Sequence, residues 1–231
     1  MSIKKKKGVF YTEAAYVLGI FIMALGVAFA QKADFGMSMV VAPAYILHLK
    51  ISQYLTFFSF GMAEYTFQLL LIILIAVVTR KFKLTYIGSF VTALIYGFVL
   101  DGLIALLSLL PSDGVPLRVI YFIAGALCCS LAVSLFFHTY LPALAYELFV
   151  KEVSAKFGIN INKFKTGYDI TSLLVGVVMS FAFFGMWQFN GVSYGTLILA
   201  LINGFIISLF TRLLERFFDF KDKLKIRRIF E

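Results

Sequence analysis

ALGVAFAQKADFGMSMVVAPAYILHLK, Ala24 to Lys50, is the stretch on which the reading of the fold turns. An apolar helix runs here into Gln31, Lys32 and Asp34, where a plain membrane span would end more cleanly. The chain then passes Gly36 and Pro43 before a second apolar run begins. Glycine admits backbone conformations closed to other residues and proline cannot donate a helix hydrogen bond, so Gly36 and Pro43 are candidate hinges. Polar groups in a helix broken at membrane depth are where a binding site is sought first.

Around this stretch the composition is that of a polytopic membrane protein. The 231 residues are 61% hydrophobic and 14% charged, with a mean hydropathy of +0.95, far from a soluble domain. Apolar runs long enough to cross a bilayer as helices are expected at Ala14–Ala30, Phe58–Thr79, Leu84–Leu110, Leu117–Phe137, Gly167–Trp187 and Tyr194–Leu214. A membrane barrel would instead show short alternating segments. No cleavable signal peptide is evident.

The net charge of +9 does not read as a nucleic-acid surface, because of where the cations lie. Lys4 to Lys7 precede the first span, Arg80, Lys81 and Lys83 follow the second, Lys151, Lys156, Lys163 and Lys165 precede the fifth, and a basic tail ends the chain. Every other loop is basic, which places both termini in the cytoplasm by the positive-inside rule. Lys32, Lys50 and Arg118 are the cations of the opposite side.

The turn-rich loop from Pro111 to Pro116 divides the chain into two halves of similar plan. GSFVTALIYGF at Gly88–Phe98 returns as GTLILALINGF at Gly195–Phe205, with glycine, Ala-Leu-Ile and Gly-Phe at the same spacing. At nearly that offset Lys32 falls opposite His138, Gly36 opposite Pro142, the pair Glu64-Tyr65 opposite Tyr168-Asp169, and Tyr96 opposite Asn203. Three crossings per copy reverse the membrane side, so the second copy is expected to be inverted. The expected units are residues 1–113 with an outer connector at about 31–57, residues 114–214 with an inner connector at about 138–166, and a basic amphipathic tail at 215–231. The fold class is all-α: six transmembrane helices in two inverted three-helix repeats with broken or amphipathic connectors.

The inner connector, Ala143 to Phe157, has the spacing of an interfacial helix. Its counterpart, Val40 to Leu55, is more apolar and either dips into the membrane or lies on its outer face. The tail alternates aromatic and aliphatic residues with Arg212, Arg216, Lys221, Lys223, Lys225, Arg227 and Arg228. These seven are expected to rest on anionic lipid head groups, each well-placed cation contributing about 1 kcal/mol.

Ionisable side chains at membrane depth cost at least about 2.5–3.5 kcal/mol and so normally face a cavity or a partner. Lys32 and Asp34 at the outer break are either a binding pair or an exposed loop pair. Glu64, with Gln68 on the same helix face, and Asp169 stand early in their spans. Each either takes part in a substrate or proton path or favours a helix start through the macrodipole. Asp101 lies deeper, with no basic residue within a turn; it is the leading functional carboxylate, and an interhelical hydrogen bond is the competing reading. His138 at a span end and Asn203 complete the pathway candidates, and Pro142 is the third candidate hinge.

Soluble-enzyme signatures, nucleotide loops and metal-spaced His/Cys clusters are absent from the sequence, so no enzyme, metal or cofactor is expected. Cys128 and Cys129 are adjacent in one span and read as packing thiols. Gly191 to Gly195 is a GxxxG, read as helix packing.

The run Lys32-Ala33-Asp34-Phe35-Gly36-Met37-Ser38 after a glycine-bearing first span resembles the signature of the YczE/YitT-like bacterial integral membrane proteins. An acidic residue early in a later span, Asp169, and the Gly195-Thr196 pair opening the last span share that resemblance, which extends from Leu18 to Leu214. The second half departs from the family pattern at Tyr140-Leu141-Pro142-Ala143 and in keeping only Gly191 before the last span. The resemblance implies a multi-span bacterial plasma-membrane protein and lends topology more than mechanism.

The expected function is a small-solute carrier working by alternating access. The alternative is a non-transporting module that binds or regulates a membrane partner, such as a substrate-capture subunit; an intramembrane enzyme ranks third. Expected partners are the anionic bilayer, a small-molecule substrate, and a membrane protein or second copy of the chain.

Overall fold

A computed structural model describes residues 8–224 and Arg227. The order is β1 (Gly8–Tyr11), α1 (Thr12–Ala33), α2 (Ala42–Ile51), α3 (Phe60–Thr79), α4 (Leu84–Ser108), α5 (Val115–Phe136), α6 (Ala145–Phe157), α7 (Ile161–Phe184), α8 (Tyr194–Phe217) and β2 (Phe218–Lys221). Among the described residues the helices long and apolar enough to cross a membrane are six, α1, α3, α4, α5, α7 and α8, so the chain is a predominantly helical membrane protein. The bounds differ from expectation most at α1, which continues through Gln31 and Lys32 to Ala33, at α7, which starts at Ile161, and at α8, which runs to Phe217.

The bundle is organised around α1 against α5. A Cβ on Gly26 would lie 2.6 Å from Cys129 Sγ, and one on Gly125 would lie 2.9 Å from the Gly26 carbonyl oxygen. The helices therefore meet backbone to backbone, the close approach that small residues permit in lipid, where no hydrophobic force drives association. α4 also packs on α1, with the Tyr16 and Thr92 hydroxyls 2.5 Å apart. α8 packs on α5 through Ser130 and Asn203. α3 and α4 are in tight contact, whereas α7 and α8 meet at most marginally.

The two connector helices are half-helices that run into the bundle. α6 begins against the middle of α3, where the Ala145 N–H donates to Gln68 Oε1 at 3.1 Å. It ends beside the last turn of α3, where Lys156 Nζ donates to the Val78 carbonyl. α6 packs on α3, α7 and α4, and Tyr146, Leu148, Val150 and Val153 are buried. The outer connector is built alike. Ala42 and Ile46 lie against Gly176, well inside α7, and Lys50 donates to the Phe183 carbonyl at the end of α7. Short helices can enter an apolar layer in this way when their backbone is buried in protein.

Pro43 and Pro142 stand at or before helix starts. Pro43 occupies the first turn of α2, where its missing N–H costs nothing. Pro142 precedes α6 and its carbonyl accepts the Thr92 hydroxyl at 2.9 Å. Gly36 does hold a conformation that favours glycine, with φ +97°.

α8 continues past residue 215 to Phe217, and β2 then pairs in parallel with β1. The pairing joins the two ends of the chain.

Candidate functional site

Beyond α1 the backbone turns at Asp34, which caps the helix with φ 52°. It then lies against the start of α8. The Gly195 N–H donates to the Phe35 carbonyl and the Met37 N–H to the Gly191 carbonyl, both at 2.9 Å. A Cβ on Gly36 would lie 2.5 Å from Thr196 Oγ1. Gly191 to Gly195, read from sequence as a helix-packing GxxxG, instead joins the outer break to the loop before α8.

Between break, half-helix and loop is a cavity of about 260 Å³. Gln31, Asp34, Tyr45, Asn190 and Ser193 supply its polar lining and Phe189 an aromatic wall. Gln31 Oε1 is buried there without a hydrogen-bond partner. Burial pushes the Tyr45 phenol up, and the Asp34 charge adds to the effect. Asp34 is paired: Arg118 Nη2 donates to its Oδ2 at 3.0 Å and its carbonyl at 2.7 Å, and Arg118 Nε to the Ala33 carbonyl at 2.8 Å. Lys32 turns away, its Nζ lying 5.7 Å from the Tyr121 ring centre. With Asp34 paired to Arg118 and Gln31 Oε1 open, the cavity suits an uncharged or zwitterionic solute bearing an N–H or O–H donor. A larger groove of about 430 Å³ between α3 and α4 is apolar apart from Tyr86 and offers little to a polar solute.

The other carboxylates are placed differently from the sequence reading. Glu64 falls beyond the first turn of α3, so it is not a helix-start carboxylate. It is fully buried. Its Oε2 accepts from the Tyr146 hydroxyl at 2.9 Å and from Gln68 Nε2 at 3.2 Å, while Oε1 has no partner. The first N–H of α6, that of Ala145, goes to Gln68 Oε1 rather than to Glu64. Asp169, on α7, lies 3.7 Å from Lys165 Nζ. Glu147, on α6, has a buried Oε2 without a hydrogen-bond partner. α3, which carries Glu64, and α7, which carries Asp169, both pack on α6.

Asp101 faces the start of α3, accepting from the Ser59 hydroxyl and the Gly61 N–H. Asn203 Oδ1 accepts from the Ser130 hydroxyl at 2.7 Å. His138 stacks on Phe220 with ring centres 4.1 Å apart, and its Nδ1–H donates to the Ser134 carbonyl at 2.8 Å. Arg212 and Arg216 are exposed on α8, whereas Lys223 lies over the Tyr11 ring and Arg227 pairs with Asp222. Lys225 and Arg228 lie outside the described residues. Tyr45, Asn190 and Ser193 were not foreseen; the glycine spacing at Gly191 and Gly195 was the available signal.

Residues 10–212 match the sequence profile of a family of unknown function, DUF6198. The chain belongs to the DUF6198 family. No curated protein and no solved structure matches it. The DUF6198 match spans the outer break, both half-helices and all six long helices to within the last turns of α8.

Proposed function

We propose that this DUF6198 protein is a small-solute carrier, not an enzyme, built from two inverted repeats and working by alternating access. The observation that carries the reading is the polar cavity of about 260 Å³ at the outer break, with its unsatisfied Gln31 Oε1. The exchange of half-helices supports the repeat: α2 packs on α7 and α6 on α3. So does the pairing of α1 with α4 and of α5 with α8. The likeness to YczE/YitT-like proteins and the alternation of basic loops support a bacterial plasma-membrane location with both termini cytoplasmic. The exposed tail cations support contact with anionic lipids.

The test is thermal stabilisation of the purified protein against amino acids, amines, vitamins and small anions, repeated with Gln31→Ala. A solute present at a hundred times its dissociation constant adds about 2.7 kcal/mol. A zwitterionic or neutral hit that is lost in Gln31→Ala supports the carrier; no hit across the panel sinks it. The alternative, a module docking a partner or a second copy, is favoured by α8, whose most apolar window is only 6% buried. It predicts co-purification of another membrane chain or a dimer.

A further inference from the structure

At the outer break Gly36 borders an open cavity; at the inner break His138, the counterpart of Lys32, lies beneath the joined chain ends. Phe220 of β2 covers the His138 ring. The Tyr140 hydroxyl donates to Glu13 at 2.9 Å, and the same carboxylate accepts the backbone N–H groups of Lys223 at 3.0 Å and Leu224 at 2.8 Å. Thr12 donates to Asp222 at 2.8 Å. Phe10 packs edge-on or tilted against Phe218 and Phe220.

Two four-residue strands are marginal on their own, so this pairing depends on a few side chains, Glu13 foremost. β1 leads into the first spanning helix and β2 leaves the last, so the pairing fastens both ends of the bundle across one break. Contacts so few, at chain ends, belong to the part of a fold that opens most readily.

We propose that the β1–β2 clasp is the gate of the inner break, shut here while the outer cavity is open, and that its release by loss of the Glu13 contacts uncovers His138 and Tyr140. The inference rests on the carrier reading for its purpose, though not for its geometry.

The test uses the full chain in lipid nanodiscs, where both faces are accessible, with His138→Cys as inner reporter and Phe189→Cys as outer reporter. Labelling by a membrane-impermeant maleimide is read by peptide mass spectrometry, which separates it from Cys128 and Cys129. Glu13→Ala removes charge-assisted hydrogen bonds, so inner labelling should rise about tenfold or more. A disulfide between Val9→Cys and Asp219→Cys, which are paired in register, should suppress inner labelling when oxidised and restore it when reduced. This arm stands even if Glu13→Ala fails to fold. Inner labelling unchanged in both arms overturns the gate and leaves the carrier reading untouched. Inner labelling that responds while outer labelling stays constant supports the gate and overturns the carrier, which requires reciprocal access. Opposite responses at the two reporters support both.

Discussion

Asp101 on α4 caps the start of α3: its Oδ1 accepts the Gly61 N–H at 2.8 Å and its Oδ2 the Ser59 hydroxyl at 2.5 Å, while Ser59 Oγ itself accepts the Met62 N–H at 3.1 Å. The carboxylate therefore satisfies donors that a helix start inside an apolar layer leaves without partners. Asp101→Ala should cost about 2–3 kcal/mol by stranding the Gly61 N–H. Asp101→Asn keeps one acceptor and should cost about 1 kcal/mol. Unfolding titrations in mild detergent check both. Solute stabilisation should survive in Asp101→Asn, because Asp101 does not line the outer cavity. Its loss at unchanged stability would move Asp101 into the site.

Glu64 predicts a contrast between two substitutions. Glu64→Gln keeps an acceptor oxygen for Tyr146 and Gln68 and removes a buried charge, so stability should stay within about 1 kcal/mol of the parent or rise. Glu64→Ala strands both donors and leaves a cavity, and should cost about 2–4 kcal/mol. A double-mutant cycle with Tyr146→Phe should give a coupling of about 0.5–3 kcal/mol. Equal losses in Glu64→Gln and Glu64→Ala would mean that the charge, rather than the hydrogen bonds, holds α6 to α3.

The spans and the outer break were readable because hydropathy and chain interruption are local signals. What escaped were long-range partners of local features. Ser59 and Asp101 stand 42 residues apart, so a cap reads as a lone intramembrane acid. The stripe of α6 is the same whether its apolar side meets head groups or α3, and periodicity cannot tell the two apart. Phe218 and Phe220 alternate with polar residues as a strand does, but a two-residue period needs a partner strand, and β1 lies at the other end of the chain. The cavity was half visible for the same reason: Gln31 and Asp34 belong to the break, whereas Asn190 and Ser193 reach it from the loop before α8.

The shared GSFVTALIYGF and GTLILALINGF motifs make different demands on their glycines. A Cβ on Gly97 would lie 2.8 Å from the Gly61 carbonyl oxygen, a backbone atom that cannot swing aside, whereas one on Gly204 meets nothing within 4 Å. Gly97→Ala should therefore cost about 1–3 kcal/mol through strain between α3 and α4. Gly204→Ala should be neutral or gain up to about 1 kcal/mol of helix propensity. Thermal unfolding of the two variants side by side decides it. A comparable loss in Gly204→Ala would show that α8 packs against another helix in the membrane.

His48, in the last turn of α2, gives a pH dependence of defined sign. Its Nδ1–H donates to the Phe58 carbonyl at 3.0 Å and its ring stacks on Phe60. Burial lowers its pKa from the ordinary 6.5, with the Phe58 carbonyl and the Asp101 charge opposing. As pH falls, the unfolded chain takes up the imidazole proton before the folded one does. The stability contributed here is complete above about pH 6.5 and is lost progressively as pH falls through and below that value. Melting temperatures between about pH 8 and pH 5 should fall in the parent and fall less in His48→Gln, which keeps a donor for Phe58 but cannot titrate. Every other titrating group is shared by parent and variant, so the difference between the two curves isolates the imidazole. Parallel curves for parent and variant would mean that His48 titrates alike in both states and that its burial carries no linkage to folding.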